Sequence, residues 1–289
     1  MVRELDAKSV LYYHDRTFAT NWDANIYRGC GHRCVYCFAM YSHKYLEADF
    51  FDDIFVKRNA AGVLLREFRK KSWRGEPVCI AGVSDAYQPA EAECCVVPDV
   101  LHSFIAARNP IALSTKSTLA LRDIDLFREL AKVADVSIAV SISTLNEDYR
   151  RLLEPFASPA RARLEMLREF KKAGCHVGVL FMPIIPFISD GDADLDEVFR
   201  LSADVGVDYI CTYPLHLRSR NKAAFFSFIS DNFPHLLAPL QSLYKDRYVS
   251  KEYSSALKEK IRLLRRKYSL KDDYVQPSRP VEPQQLTLF

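Results

Sequence analysis

The stretch N-I-Y-R-G-C-G-H-R-C-V-Y-C-F-A, residues 25–39, places Cys30, Cys34 and Cys37 in one short loop with the spacing C-x3-C-x2-C. Three thiolates this close can each hold one iron of a cubane cluster and leave its fourth iron without a protein ligand. A structural zinc site instead takes four donors, commonly in paired spacings. The alternative reading is a zinc loop completed by His32 or by a distant cysteine. An aromatic residue, Tyr36, stands just before the third cysteine.

Outward from this loop, short apolar runs alternate with amphipathic helical stretches, the pattern of β/α units around a parallel sheet. Six runs read as strands: 25–28, 78–81, 111–114, 136–142, 177–182 and 209–212. Ser158 reads as a helix N-cap with Pro159 at the first helical position. Leu164, Leu167 and Phe170 then share a side, and Gly174 ends the helix after Lys171 and Lys172. Asp123 is expected to cap a helix whose apolar face is Ile124, Phe127, Leu130, Ala131 and Ala134. Looser helical patterns cover 60–71, 97–107 and 195–205. Six β/α units predict an α/β fold, an open, partial (β/α)6 barrel with its working residues at the C-terminal ends of the strands. Polar residues fall there: the cysteine loop after the first strand, G-V-S-D-A-Y-Q-P (82–89) after the second, and S-T-K-S (114–117) after the third. Ser141 and Ser143 share a face of the fourth, M-P-I-I-P (182–186) ends the fifth, and Tyr209, Cys211 and Tyr213 share a face of the sixth.

The cysteine spacing with Tyr36 resembles the signature of the radical S-adenosylmethionine (radical SAM) superfamily. G-V-S-D-A-Y-Q-P-A-E (82–91), S-T-K-S, R-D-I-D-L (122–126), S-I-S-T-L (141–145), L-L-E-P (152–155) and M-P-I-I-P extend the resemblance, in order, to its spore photoproduct lyase-like branch. The resemblance implies a 4Fe-4S cluster on Cys30, Cys34 and Cys37. It further implies SAM chelated to the free iron and an electron, from a reductant such as flavodoxin or ferredoxin, that releases a 5'-deoxyadenosyl radical. It also implies that Ser84, Lys116 and Ser141 hold SAM. Lys116 is a fixed cation suited to the SAM carboxylate, and the two hydroxyls suit its polar groups. Asp85 is expected to receive the amino group or a ribose hydroxyl, and Tyr36 to lie near the adenine. One departure stands out. Lyases of this branch carry a cysteine three residues before the aspartate of a T-S-D segment, and Gly82 occupies that position here, which argues against spore photoproduct repair itself. Cys211 with Tyr213 is the candidate hydrogen donor, with Cys79, Cys94 and Cys95 as other thiols near the strand ends. For each thiol the alternative is a small buried residue.

Composition bounds the remainder. A chain of 289 residues with 49% hydrophobic and 27% charged residues and nine glycines buries a substantial core and is neither low-complexity nor largely disordered. No secretory run follows Met1, and the longest near-apolar stretch, 177–188, is too short for a bilayer and holds two prolines. A cytoplasmic protein with no membrane segment is expected, its eight cysteines reduced thiols or metal ligands rather than disulfides. Residues 1–24 read as an irregular lead-in, 25–215 as the barrel, 216–270 as a helical extension and 271–289 as a flexible tail.

In the extension, Arg218, Arg220 and Lys222 precede Phe225, Phe226 and Phe228. A helix over 254–268 carries Lys258, Lys260, Arg262, Arg265, Arg266 and Lys267. Cations beside aromatics suit a nucleic-acid backbone and unstacked bases, the alternative being a solvated helix face. The proline-rich tail ends in Gln285, Leu286, Thr287, Leu288 and Phe289. This resembles the short peptide by which bacterial DNA polymerases and repair proteins bind the sliding clamp; the alternative is packing on the chain's own barrel. The expected function is a radical SAM enzyme acting on a damaged or modified DNA base. Its rivals are a radical SAM enzyme on a peptide or small molecule and a non-catalytic iron-sulfur adaptor for nucleic acid or clamp.

Overall fold

The computed structural model describes residues 1–15, 20–43, 48–271 and 274. The clamp-like peptide at 285–289 lies outside them. In the larger sheet, among the described residues, six strands run parallel: β3 (Trp22–Ala24), β6 (Val78–Ile80), β7 (Ile111–Thr115), β8 (Val136–Ile142), β9 (His176–Ile184) and β10 (Tyr209–Pro214). The sheet order is β10-β9-β8-β7-β6-β3-β2, in which β2 (Leu11–Tyr13) pairs antiparallel with β3. A parallel sheet is covered on both faces, so its strands are apolar runs rather than alternating ones; in β8 every residue is buried.

The outer layer is built by α1 (Ala60–Phe68), α3 (Val97–Ala107), α4 (Ile124–Ala131), α6 (Ala160–Lys172) and α7 (Asp192–Val205), with a one-turn α2 (Glu91–Cys94) and α5 (Glu147–Leu153) in the connections. Their apolar faces bury Phe104, Phe127 and Phe170 against the sheet. The rings of Phe127 and Phe170 meet edge to face at 5.2 Å. Inside, the N-terminal half of the barrel is filled: a Cβ on Gly178 would lie 2.1 Å from Cζ of Tyr209, whose hydroxyl is 3.1 Å from that of Ser137. Space remains at the opposite end.

Several expectations are corrected. The first barrel strand is β3, three residues upstream of the expected 25–28. Tyr27–Arg28 is instead β4 in a separate three-stranded sheet with β1 (Val2–Leu5) and β5 (Ile54–Lys57), order β1-β5-β4. The lead-in is therefore not irregular, because β1, β2 and β3 all find ladder partners. Asp123 caps no helix through its side chain; its carboxylate accepts from Tyr87 Oη and Arg122. Helix α6 begins at Ala160, after Pro159 in extended conformation, and Ser158 Oγ accepts from Thr118 N instead. Gly174 follows the helix end with φ +89°.

Beyond β10 come α8 (Ser219–Asn232), α9 (Pro234–Leu243) and α10 (Lys251–Tyr268). Helices α8 and α9 enclose a second apolar cluster of Phe225, Ile229, Leu240 and Tyr244 that also takes in Tyr36 of the cysteine loop. Phe225 is thus core, with Phe226 and Phe228 partly buried against this cluster. The basic helix α10 is engaged in part: Lys260 pairs with Asp192 and Lys267 with Asp196, each at 2.6 Å, and Arg262 pairs with Glu259, while Lys258 and Arg266 are exposed. Arg265 Nη2 donates to Ile210 O at 3.1 Å, and Ile210 N donates to Lys271 O at 3.1 Å. An outer strand exposes unpaired backbone groups, and these contacts cover β10.

Candidate active site

The cysteine loop is held at the C-terminal end of the barrel by backbone geometry that only glycine allows at its start. Gly29 has φ +82°, and a Cβ there would meet Asp53 O at 2.7 Å. Cys30 N then donates to Phe50 O at 3.0 Å. The buried Gln88 side chain grips the loop from both sides, accepting from Gly31 N at 2.8 Å and donating to Gly29 O at 3.2 Å. Val35 N donates to Leu153 O and Cys37 N to Cys34 O, both at 3.0 Å. His32 uses both ring nitrogens inside the protein, Nδ1 at 3.1 Å from Phe156 O and Nε2 at 3.1 Å from Asp85 Oδ2, so it is not available to complete a zinc site.

Cys30, Cys34 and Cys37 line one cavity of about 520 Å³, a volume suited to a cofactor-sized ligand. Among the described residues, no three His, Cys, Asp or Glu side chains converge on a single ion. Three cysteines that border one shared cavity match the three-thiolate ligation of a cluster with one open iron. Burial pushes Cys30 up to about 12 and raises Cys34 and Cys37; Lys116 partly offsets the rise at the latter two. As thiols they are neutral, and the charge of bound iron is what would make them ligands.

Lys116, at the end of β7, sits across the same cavity. Its Nζ donates to Ser141 Oγ at 2.6 Å and lies 5.8 Å from the Tyr36 ring centre. Ser141 Oγ donates to Met182 O at 3.2 Å, and Ser84 Oγ donates to Tyr27 O at 3.3 Å. Of the five residues the sequence assigns to the cofactor, Tyr36, Ser84, Lys116 and Ser141 line the cavity.

Asp85 also borders it but is consumed internally. Oδ1 accepts from Tyr87 N and Thr115 Oγ1 at 2.9 and 2.8 Å, and Oδ2 from His32 Nε2 and Lys116 N at 3.1 and 2.7 Å. Burial would raise its pKa, but His32 and these donors lower it. With four donors on two oxygens, Asp85 ties the cysteine loop to β7 instead of receiving an amino group or ribose. Cys211 is corrected too: it is 3% exposed, packed with Ala139 and Tyr209, and is not on the cavity wall, whereas Tyr213 is on it and half exposed. The wall thiol outside the C-x3-C-x2-C set is Cys79. At Gly82 a Cβ would lie 2.2 Å from Asp23 Oδ2, so this position accepts a side chain only if the buried Asp23 moves.

Behind Tyr36 lies a fully buried network that the sequence did not mark as a unit. Glu154 accepts from Tyr36 Oη, from Ser143 Oγ at 2.7 Å and from Arg163 Nη2 at 2.7 Å, and Arg163 also donates to Ser141 O. Burial would raise the Glu154 carboxyl, but Arg163, Lys116 and the two hydroxyls overcome it and hold the pKa at about 2. Arg163 reads in sequence as one more charge on an amphipathic helix; its burial was not legible there. Nor were His216, on the cavity wall, and Tyr248, stacked on it at 4.4 Å.

An uncharacterized protein of Mycobacterium tuberculosis is 33% identical over 278 residues, 93% of this chain and 82% of that protein. One of Acidianus two-tailed virus is 30% identical over 220 residues, 71% of each. Among solved structures, a cysteine-to-serine variant of spore photoproduct lyase matches with a TM-score of 0.69 at 17% identity, over 92% of this chain and 79% of that one. Spore photoproduct lyase complexed with dinucleoside spore photoproduct matches with 0.69 at 16% identity over the same shares. At such identities the likeness is one of fold. The family model described as Radical SAM superfamily matches residues 24–201, from the last residue of β3 into α7. Because that match takes in the cysteine loop and the barrel through β9, the chain belongs to the radical SAM superfamily, whose members use a 4Fe-4S cluster and SAM.

Proposed function

We propose that this radical SAM enzyme acts in the cytoplasm on a damaged or modified base of DNA. When bound and reduced by a flavodoxin or ferredoxin, the cluster and SAM supply a 5'-deoxyadenosyl radical. The chain's residues hold and orient. Cys30, Cys34 and Cys37 ligate three irons, Lys116 pairs with the SAM carboxylate, Ser84 and Ser141 hydrogen-bond its polar groups, and Tyr36 lies beside the adenine. The carrying observation is one shared cavity bordered by Cys30, Cys34 and Cys37 and by the Lys116–Ser141 pair at 2.6 Å. A DNA base as substrate is supported by the branch motifs and by the fold shared with a lyase complexed with a dinucleoside lesion. Gly82, close against Asp23, speaks for a reaction that differs from that lyase's. Tyr213 is retained as a candidate hydrogen donor, half exposed on the cavity wall. Residues 285–289 are the proposed attachment to a bacterial sliding clamp.

The test has two steps. Anaerobically reconstituted protein should hold about four irons per chain and cleave SAM to 5'-deoxyadenosine and methionine. Mass spectrometry of DNA from cells lacking the protein should then show an accumulating base adduct. Absence of any adduct, with SAM cleavage intact, would remove the DNA substrate and leave the cofactor chemistry standing.

A further inference from the structure

Where β10 ends, the chain turns outward along the cavity mouth. His216 lines the cavity, and its ring lies flat on that of Tyr248, with centres 4.4 Å apart and planes within 2°. The two loops that carry them are joined: Leu217 N donates to Arg247 O at 2.9 Å, and Tyr244 Oη to Leu215 O at 2.8 Å. Lys222 Nζ donates to Tyr244 O at 3.0 Å and to Asp246 O at 3.1 Å, so the loop before α10 is braced against α8. Tyr248 is 46% exposed and Tyr213, also on the cavity wall, is 50% exposed. Large aromatics at a folded surface are unusual enough in a group to mark a contact site.

Two arginines and one aspartate flank this aromatic shelf. The Arg247 guanidinium lies 5.5 Å from the Tyr248 ring centre. Burial, then Arg218 and Arg247, lower the His216 pKa, with Asp246 opposing. The imidazole is therefore neutral near pH 7, and both guanidiniums lie close to it. Both arginines are exposed, and among the described residues neither forms an ion pair with a carboxylate. The contrast with α10 is direct, since Lys260 and Lys267 there are spent on Asp192 and Asp196. His216 Nε2 is shut off from solvent and has no hydrogen-bond partner among the described residues.

From this arrangement we infer that the strip Tyr213–His216–Tyr248, flanked by Arg218 and Arg247, docks a single-stranded stretch of DNA and leads one of its bases into the cavity. The open faces of half-exposed aromatic rings such as Tyr213 and Tyr248 accept any unstacked base, and exposed guanidiniums accept backbone phosphates. An acidic peptide would use the arginines but has no need of flat rings at the cavity mouth. A base bound for the cavity must leave its duplex, and a strip reaching from surface to cavity wall is where it would be met. The inference rests on the DNA-base substrate proposed above.

The test is fluorescence anisotropy with a fluorescein-labelled oligothymidylate and the full-length, cluster-loaded protein, at several salt concentrations. Tyr248→Ala should weaken binding about tenfold, the loss of one stacked base. Arg218→Gln with Arg247→Gln should make the salt dependence of log K shallower by about 1.4, the share of two phosphate contacts on a single strand. Variants that bind like wild type would overturn the strip while leaving a DNA substrate intact. A wild type that binds no oligonucleotide would remove the DNA reading itself. Weakened binding accompanied by a lower Tm or lower iron content would make the His216–Tyr248 stack a structural support only. Equal binding of an oligouridylate through the same residues would overturn the assignment to DNA.

Discussion

Lys116 is the residue on which cluster loop, cofactor pocket and buried network converge. Its ammonium group donates to Ser141 Oγ, faces the Tyr36 ring and influences Cys34 and Glu154. Lys116→Ala should preserve iron content yet weaken SAM binding by about 2–4 kcal/mol, the cost of leaving a desolvated carboxylate without its cation; calorimetry on the reconstituted protein reads this. Glu154 makes a second prediction, in pH. Its folded pKa of about 2 lies below the ordinary 4.5. The stability it contributes is therefore complete above pH 4.5 and is lost as pH falls toward 2, by about 3 kcal/mol in all. Urea unfolding should show wild type losing stability on acidification more steeply than Glu154→Gln. At neutral pH that variant should already be weaker by about 3–5 kcal/mol, because Arg163 is left buried without a counter-charge.

At the level of elements, the barrel depends on how its two ends are filled. Tyr209 of β10 occupies the space that a side chain on Gly178 of β9 would need, which closes the N-terminal half and leaves the cavity at the other end. Gly178→Ala should cost about 1–3 kcal/mol through overpacking, seen as a lower Tm, because the ring it meets is itself fully buried. Helix α10 closes the edge of the sheet. Two of its lysines pair with carboxylates of α7, so Lys260→Ala with Lys267→Ala should leave the salt slope of DNA binding unchanged. A shallower slope would return this helix to the nucleic-acid surface.

For the molecule as a whole, the formal charge of +3 gives no strong long-range pull on DNA. Local arginines at the cavity mouth and a tether are the two remedies a weakly basic enzyme has. A five-residue clamp peptide buries little, so an affinity near micromolar, about 8 kcal/mol, is expected, with its effect arising from raised effective concentration on DNA. Deleting residues 285–289 should abolish binding to the clamp from the same organism, measured by surface plasmon resonance, and leave SAM cleavage as in the full chain. A deletion that unfolds the barrel would instead assign Leu288 and Phe289 to the enzyme's own core.

What the sequence determined by itself is local and periodic. Three cysteines within eight positions, apolar runs at β/α spacing and polar residues at the strand ends are covalent and short-range facts. They specified an open parallel barrel and brought Ser84, Lys116 and Ser141 to one rim. Only tertiary structure decided what depends on which groups meet across long sequence separations. Asp85 looks free to bind a ligand until His32, Thr115 and Lys116 fill its lone pairs. Arg163 looks solvated until Glu154 joins it at zero exposure. Cys211 and Tyr213 share a strand face, yet one packs into the filled interior and the other reaches the cavity, because the barrel narrows around Tyr209. The basic residues of α10 and the phenylalanines of α8 carry the composition of a nucleic-acid site. Packing across the fold engages Phe225 and ion pairs engage Lys260 and Lys267, whereas His216 and Tyr248, which no periodicity connects, come together only in the folded chain.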